Sequence, residues 1–211
     1  MPIRGVPLLG IWLQLLESHG ISDVLINLHH RSAQVVAFLA GWRTPIRVTT
    51  AYEPRLLGSA GTVAEHRRFV QGEEAFLIAY ADNLTTANLG ALVRFHGGRT
   101  EALTLGVVPT DRPREKGTVL LDPGGQVLAF EEKAANPRSH LANAGLYVSG
   151  PRLFDYLPEA APADRALDFG HDVLPTMVPD LAACAVEGFL MDIGTPDAYA
   201  DAQEIWPGLP G

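Results

Sequence analysis

The 211-residue sequence predicts an α/β fold built on a mixed, mostly parallel sheet. Three observations predict it. From residue 8 to about residue 95, short apolar runs alternate with helix-period patterns, the signature of βαβ units with right-handed crossovers. Past residue 103, strand candidates follow one another with little helix between them, which predicts a smaller antiparallel part. The chain is 47% hydrophobic, enough to bury the core of one domain spanning residues 1–211.

The elements follow in order. Residues 6–16 (VPLLGIWLQLL) are shorter than a membrane span of about 20 apolar residues. Glu17-Ser18-His19 also makes a poor signal-cleavage region. The stretch reads as a helix, with Pro7 in the first turn, Leu8, Leu9, Trp12, Leu15 and Leu16 on one wide face, and Gly20 as the stop. Residues 23–27 read as a buried strand, 32–39 as a helix capped by Ser32, and 46–52 as a strand. The loop 57–62 (LGSAGT) leads into a helix at 63–69. Residues 75–80 (AFLIAY) form the most hydrophobic and most buried strand candidate. Asp82-Asn83 and a helix near 88–95 come next.

In the second half, strands are expected at 103–108, 118–122, 127–131 and 146–148. Pro123-Gly124-Gly125 turns a hairpin between the second and third of these. Helical patterns return at 151–157 and 172–177, and strands at 184–187 and 189–192. Thr195 then caps a final helix with Pro196 in its first turn.

Charge and motifs exclude several functions. Sixteen Lys and Arg against 24 Asp and Glu give a net charge of −8. Such a surface repels phosphate backbones, so neither nucleic acid nor an anionic membrane is an expected partner. The single cysteine, Cys184, permits no internal disulfide, and no Cys/His spacing suggests structural zinc. A soluble, cytoplasmic protein is expected. The sequence lacks G-x-x-x-x-G-K-[ST], G-x-G-x-x-G and G-x-S-x-G, so P-loop, dinucleotide and serine-hydrolase signatures are missing.

Several residues could carry chemistry. Asp82 lies just past the apolar strand 75–80, where open α/β sheets bind ligands, although a turn aspartate would sit there too. Asp192 follows Phe189-Leu190-Met191 in the same way. Lys133 ends LAFEEK. There it is either a solvated charge or a point cation for a phosphate, with carboxylates beside it for hydroxyl groups. Asn143 offers both donor and acceptor to sugar hydroxyls, or simply to backbone. Gly61 in LGSAGT lets backbone approach a base or phosphate where a helix begins, or serves a plain turn. His29-His30 are adjacent rather than at helical metal spacing.

Seven segments in order resemble the sugar-phosphate nucleotidyltransferase family. They are PLLGIWLQLLESHGISDVLINLHH, EPRLLGSAGTV, FLIAYADN, GTVLLDPGGQVLAFEEK, LANAGLYV, DFGHDVLP and FLMDIGTPDAY. The resemblance runs from about residue 2 to residue 202. It implies a Rossmann-like three-layer α/β/α fold with a small antiparallel lobe on the sugar side. It also implies transfer of a nucleotidyl group from a nucleoside triphosphate to a sugar 1-phosphate, releasing pyrophosphate. Carried onto this sequence, Asp82 and Asp192 resemble the aspartates that hold catalytic Mg²⁺, which takes a few carboxylates plus phosphate oxygens and water. Lys133 matches the lysine on the sugar phosphate, and Glu132, Asn143 and Gly145 match sugar-contacting positions. Leu57, Gly61 and Thr62 match the segment lining the base.

The segments EPRLLGSAGT and LLGIWLQLL most resemble mannose-1-phosphate guanylyltransferase-like members, implying GTP and mannose 1-phosphate. Family members begin with a strand, a G-x-G-T-R loop and a Pro-Lys pair, and Met1–Leu8 resembles the segment after them. The chain as written is therefore expected to bind sugar phosphate weakly, with negligible pyrophosphorylase activity. Its uncovered sheet edges are expected to favour a homo-oligomer. A non-catalytic sugar-nucleotide-binding or regulatory relative is the alternative. A metal-dependent glycosyltransferase would carry a D-x-D pair where this chain has Asp82-Asn83.

Overall fold

The computed structural model describes residues 1–210. Its elements begin with β1 (Pro2–Ile3), β2 (Val6–Pro7), α1 (Leu8–Ser18), β3 (Asp23–Leu28), α2 (Ser32–Gly41) and β4 (Arg47–Tyr52). Next come α3 (Ser59–Glu65), β5 (Phe76–Ala79), β6 (Asn83–Thr85), α4 (Leu89–Gly97) and β7 (Leu103–Pro109). The series closes with β8 (Gly117–Leu121), β9 (Val127–Glu132), β10 (Leu141–Ser149), β11 (Leu181–Ala185), β12 (Leu190–Asp192) and α5 (Pro196–Ile205). This is the mixed α/β fold the sequence predicts. The chain forms two compact units, one of residues 1–56, 81–89 and 188–211, the other of residues 57–80 and 90–187.

In the first unit, α1 is buried almost all round, through Leu8, Ile11, Trp12, Leu13, Leu15 and Leu16. Trp12 satisfies its indole by donating Nε1–H to the Asn83 carbonyl at 2.8 Å, as a buried indole requires. A methyl on Gly10 would come within 2.8 Å of the Trp42 ring, so the glycine makes room for that ring. β3 and β4 pair in parallel, with Asp23 opposite Arg47. Ser32 does not cap α2. The helix already includes it, and the cap position falls to Arg31 in the left-handed region, with no side-chain bond. At α5 the expected cap forms: Thr195 Oγ1 accepts from Ala198 N, with Pro196 in the first turn.

In the second unit, strands run β11-β7-β10-β8-β9, and β5 also pairs with β10. β7 and β11 are parallel, while the ladders of β10 with β5, β7 and β8, and of β8 with β9, are antiparallel. Asp122 Oδ1 accepts from Gly124 N and Gln126 N, both at 2.8 Å, and closes the β8–β9 hairpin. The core packs Leu103, Leu105, Val119, Tyr147, Leu153, Phe169, Leu174, Met177 and Leu181, all fully buried.

Four expectations need correction in this unit. The helix placed at 63–69 starts at Ser59 and gives way after Glu65 to a 3₁₀ turn at Arg67–Val70. Small Ser59-Ala60-Gly61 let its first turn pack against the chain at Leu167. The patterns at 151–157 and 172–177 form only short 3₁₀ and π-type turns; Pro158 stops the first, and Pro175 removes a backbone donor inside the second. The strand placed at 184–187 runs instead over Leu181–Ala185, drawn back by its register with β7. β5 is half-buried along its length rather than the most buried strand, since among the described residues it pairs with β10 alone.

Candidate functional site

The first unit gathers the two aspartates. β6 and β12 form a short antiparallel ladder in which Asp192 faces Asn83. Ile193 N donates to the Asp82 carbonyl at 3.1 Å. Asp82 and Asp192 thus lie one register step apart on paired segments that are more than a hundred residues apart in sequence, and both are exposed. One Asp192 oxygen accepts from Gly194 N at 2.9 Å, which fixes its rotamer. Among the described residues no three His, Cys, Asp or Glu side chains cluster as a metal cage. Asp82 and Asp192 are the carboxylates here that could hold a Mg²⁺ ion, which takes one or two protein carboxylates and fills its remaining sites with phosphate oxygens and water.

The second unit gathers the residues expected at the sugar. Glu132 ends β9 opposite Gly117. A methyl on Gly117 would sit 2.5 Å from Glu132 Oε2, and one on Gly170 would sit 2.6 Å from it. Both glycines therefore leave space for this half-buried carboxylate. Burial pushes the Glu132 carboxyl above its usual range, helped by Asp168 and opposed by His171, Lys133 and Lys116. Lys133 follows in the left-handed region at φ +45°. Its N–H is held by the Lys116 carbonyl at 3.1 Å, and its side chain is exposed.

Asn143 and Gly145 lie at an irregularity in β10, where pairing with β7 shifts between Asn143 and Tyr147. Asn143 Oδ1 accepts from Gly145 N at 3.0 Å, and its Nδ2 donates to Tyr147 Oη at 2.7 Å. The Gly145 carbonyl accepts from Tyr80 N at 2.9 Å. The amide is thus bonded to backbone and to a buried phenol at once.

Leu57, Gly61 and Thr62 share one segment. Leu57 is buried, and its carbonyl accepts from Leu167 N at 2.8 Å. Ala60 N and Gly61 N both donate to the Leu167 carbonyl, at 3.0 and 3.1 Å. Gly61 packs against Leu57, Ala161 and Leu167, so its donor and its missing side chain serve packing. The close backbone approach falls at Gly58 instead, at φ +83°, where a methyl would lie 2.4 Å from the Leu167 carbonyl.

Sequence reasoning missed the residues that surround Glu132 and Asn143. Ser59 Oγ donates to Asp168 Oδ2 at 2.9 Å and accepts from Phe169 N at 2.9 Å. Tyr80 and Tyr147 meet edge to face at 5.7 Å between ring centres. No spacing marks these residues as a group. The signal was that each stands in a segment that carries the resemblance: Ser59 in EPRLLGSAGTV, Tyr80 in FLIAYADN, Tyr147 in LANAGLYV, Asp168 and Phe169 in DFGHDVLP.

Comparison with known proteins fits this arrangement. The family description "Nucleotidyl transferase" matches residues 1–206. A Mycobacterium tuberculosis mannose-1-phosphate guanylyltransferase is 27% identical over 94% of this chain and 55% of its own length. A Streptomyces griseus glucose-1-phosphate thymidylyltransferase is 31% identical, over 84% of this chain and 53% of its own. A Synechocystis UTP–glucose-1-phosphate uridylyltransferase is 26% identical, over 84% and 49%. The chain spans about half the length of the curated relatives it matches. Among solved structures, HddC from Yersinia pseudotuberculosis superposes with a TM-score of 0.79 at 20% identity, covering 97% of this chain and 87% of that one. The Rossmann-like fold is therefore shared, and with nearly the whole sequence matched the chain belongs to the nucleotidyl transferase family.

Proposed function

We propose that this chain is a Mg²⁺-dependent sugar-1-phosphate nucleotidyltransferase. The observation that carries the reading is the β6–β12 ladder, in which Asp192 pairs with Asn83, the residue after Asp82, in a chain matched to the family over residues 1–206. In the reaction, a phosphate oxygen of the sugar 1-phosphate attacks the α-phosphorus of a nucleoside triphosphate. A P–O bond forms, the bond to the β-phosphate breaks, and pyrophosphate leaves with the electron pair. Asp82 and Asp192 would hold the Mg²⁺, which when bound neutralises charge on the phosphates.

The chain's other residues bind and orient. Lys133 places a cation on the sugar phosphate, and Glu132 accepts from a sugar hydroxyl. Asn143 and Gly145 contact the hexose, and the 57–62 segment lies by the base. Because the substrate phosphate is itself the nucleophile, no protein nucleophile is required. Guanylyltransferases and thymidylyltransferases both stand among the relatives, and we assign GTP and mannose 1-phosphate on the segments EPRLLGSAGT and LLGIWLQLL.

The test is Mg²⁺-dependent pyrophosphate release from mannose or glucose 1-phosphate with each nucleoside triphosphate in turn. Weak binding of sugar 1-phosphate is expected, and any release above background should need one base and be abolished by chelation. If there is neither turnover nor binding of any sugar 1-phosphate by calorimetry, the reading fails. Binding without turnover would favour a non-catalytic sugar-nucleotide-binding relative.

A further inference from the structure

The last turn of α5 has no cation of its own. The helix carries Asp197, Asp201 and Glu204, and no basic residue stands in that turn. Yet the final carbonyls of a helix lack partners, and its C-terminal end is negative. Arg4 supplies the cation from the far end of the sequence. Its Nη2 donates to the Glu204 carbonyl at 2.6 Å and its Nε to the Gln203 carbonyl at 2.9 Å. Its backbone N–H donates to Gln203 Oε1 at 2.9 Å. Nearby, the Pro2 carbonyl accepts from Tyr199 Oη at 2.6 Å and from Gln203 Nε2 at 2.9 Å. The β1–β2 hairpin is thus fastened to the second half of α5.

The hairpin holds Arg4 in a conformation that arginine rarely adopts. Ile3 pairs with Val6, so Arg4 and Gly5 alone make the turn. Their φ angles are +46° and +86°, as a two-residue turn matching the twist of its strands requires. Glycine or asparagine takes this position readily, whereas arginine is strained there. Strain in a residue whose side chain bridges to a distant helix points to a use for that side chain.

Both ends of α5 are tied to the segment that carries Asp192. Just past the helix, Trp206 is buried and meets Phe189 edge to face at 5.5 Å. Phe189 precedes β12 and is itself fixed. Its N–H donates to Thr86 Oγ1 at 2.9 Å, and its carbonyl accepts from Thr85 Oγ1 at 2.7 Å and Thr86 N at 2.9 Å. At the other end, Thr195 caps the helix three residues after Asp192, and the intervening Ile193 is buried. Residues 189–195 are therefore held between the two ends of one helix, all within the first unit.

We propose that Arg4 is a positioning residue for Asp192: by capping α5 it fixes the helix whose two ends hold residues 189–195. The role of Asp192 toward Mg²⁺ rests on the proposed function; the tie between Arg4 and Asp192 does not. If the cap served stability alone, its loss would lower the melting temperature and leave the carboxylate in place. If it positions Asp192, the carboxylate's own backbone contacts must change with it.

Two amides report on that geometry. Gly194 N donates to Asp192 Oδ1 at 2.9 Å, and Ile193 N donates to the Asp82 carbonyl at 3.1 Å. The experiment records both by ¹H–¹⁵N spectroscopy in the wild type, Arg4→Gly, Arg4→Lys and Ile46→Val. Arg4→Gly keeps the left-handed turn and removes only the side chain, and Arg4→Lys returns a cation to the helix end. Ile46→Val trims a buried side chain of the same unit and controls for lost stability. Beside it, the Mg²⁺ concentration giving half of the GTP-dependent rise in Tm is measured for each protein.

Expected are displaced, faster-exchanging Ile193 and Gly194 amides in Arg4→Gly, smaller displacements in Arg4→Lys, and none in Ile46→Val. The Mg²⁺ half-point should rise about threefold to tenfold in Arg4→Gly, less than for loss of a group bonded directly to a metal ligand. Arg4→Lys should recover part of it. Sugar 1-phosphate binding, assigned to the second unit, should stay within about twofold. Amides unmoved in Arg4→Gly overturn the proposal, and so do amides displaced equally in Ile46→Val. Amides displaced in Arg4→Gly while GTP and Mg²⁺ fail to stabilise the wild type overturn the functional reading and leave the positioning of Asp192 standing.

Discussion

Glu132 and Lys133 are neighbours in sequence with opposite physical situations. Glu132 is half-buried between Gly117 and Gly170, and burial holds its carboxyl above the ordinary value. An acid whose pKa is raised on folding stabilises the fold below its unfolded pKa, and that contribution is lost as pH rises through the raised value. Glu132→Gln should therefore melt higher than the wild type at pH 7 to 8 and level with it near pH 4. Melting curves across that range check it, and the same variant should bind sugar phosphate less tightly. Lys133 is exposed but strained at φ +45°, a conformation that costs a side-chain-bearing residue about 1–2 kcal/mol. Lys133→Gly should leave stability within about 1 kcal/mol of the wild type, because relief of strain offsets the freer unfolded chain. Lost phosphate contact should raise the sugar-phosphate KM about tenfold or more. A residue kept in strain yet dispensable for folding is the pattern of a functional position.

At the scale of elements, α3 depends on glycine at its entrance. Gly58 sits at φ +83°, and a methyl there would lie 2.4 Å from the Leu167 carbonyl. Gly58→Ala should destabilise the second unit by about 2–4 kcal/mol through strain and displacement of residues 166–168. Denaturant midpoints measure this, and a neutral substitution would mean that the loop relaxes freely. The β6–β12 ladder is the other decisive element. Its backbone pairing does not involve the carboxylates, so Asp82→Asn and Asp192→Asn should keep the fold, as circular dichroism would show. Mg²⁺-dependent turnover should fall by about 10²-fold or more in each. Near-normal turnover in either would remove that residue from the metal site.

For the whole molecule, ligand linkage gives a test that needs no turnover. A ligand bound only by the folded state at a hundred times its dissociation constant stabilises by about 2.7 kcal/mol. In a chain of this size each kcal/mol raises Tm by roughly 2–4 °C. Sugar 1-phosphate should therefore raise Tm measurably in the wild type and much less in Lys133→Gly. An added nucleoside triphosphate should raise it further only with Mg²⁺, an increment that Asp192→Asn abolishes. Equal shifts in all three proteins would place binding elsewhere. Among the described residues no helix is long and apolar enough to cross a membrane, as the short run at 6–16 had indicated.

What the sequence determined by itself was whatever depends on local pattern: α1 from its apolar face, the β8–β9 hairpin from Pro123-Gly124-Gly125, and the Thr195 cap of α5. The places of Asp82, Lys133 and Asp192 beside strands were also legible, because each stands at the end of an apolar run in its segment. Tertiary structure alone decided the rest. Which strands pair is set by contacts far apart in sequence, so β11 slid back to Leu181 to match β7, and β5 stayed half-buried with one partner. The bonds that tie Ser59 to Asp168 and Phe169 link residues more than a hundred apart that share no periodicity. Hydrogen bonding among buried groups depends on where the folded backbone puts them, and no local propensity encodes that placement.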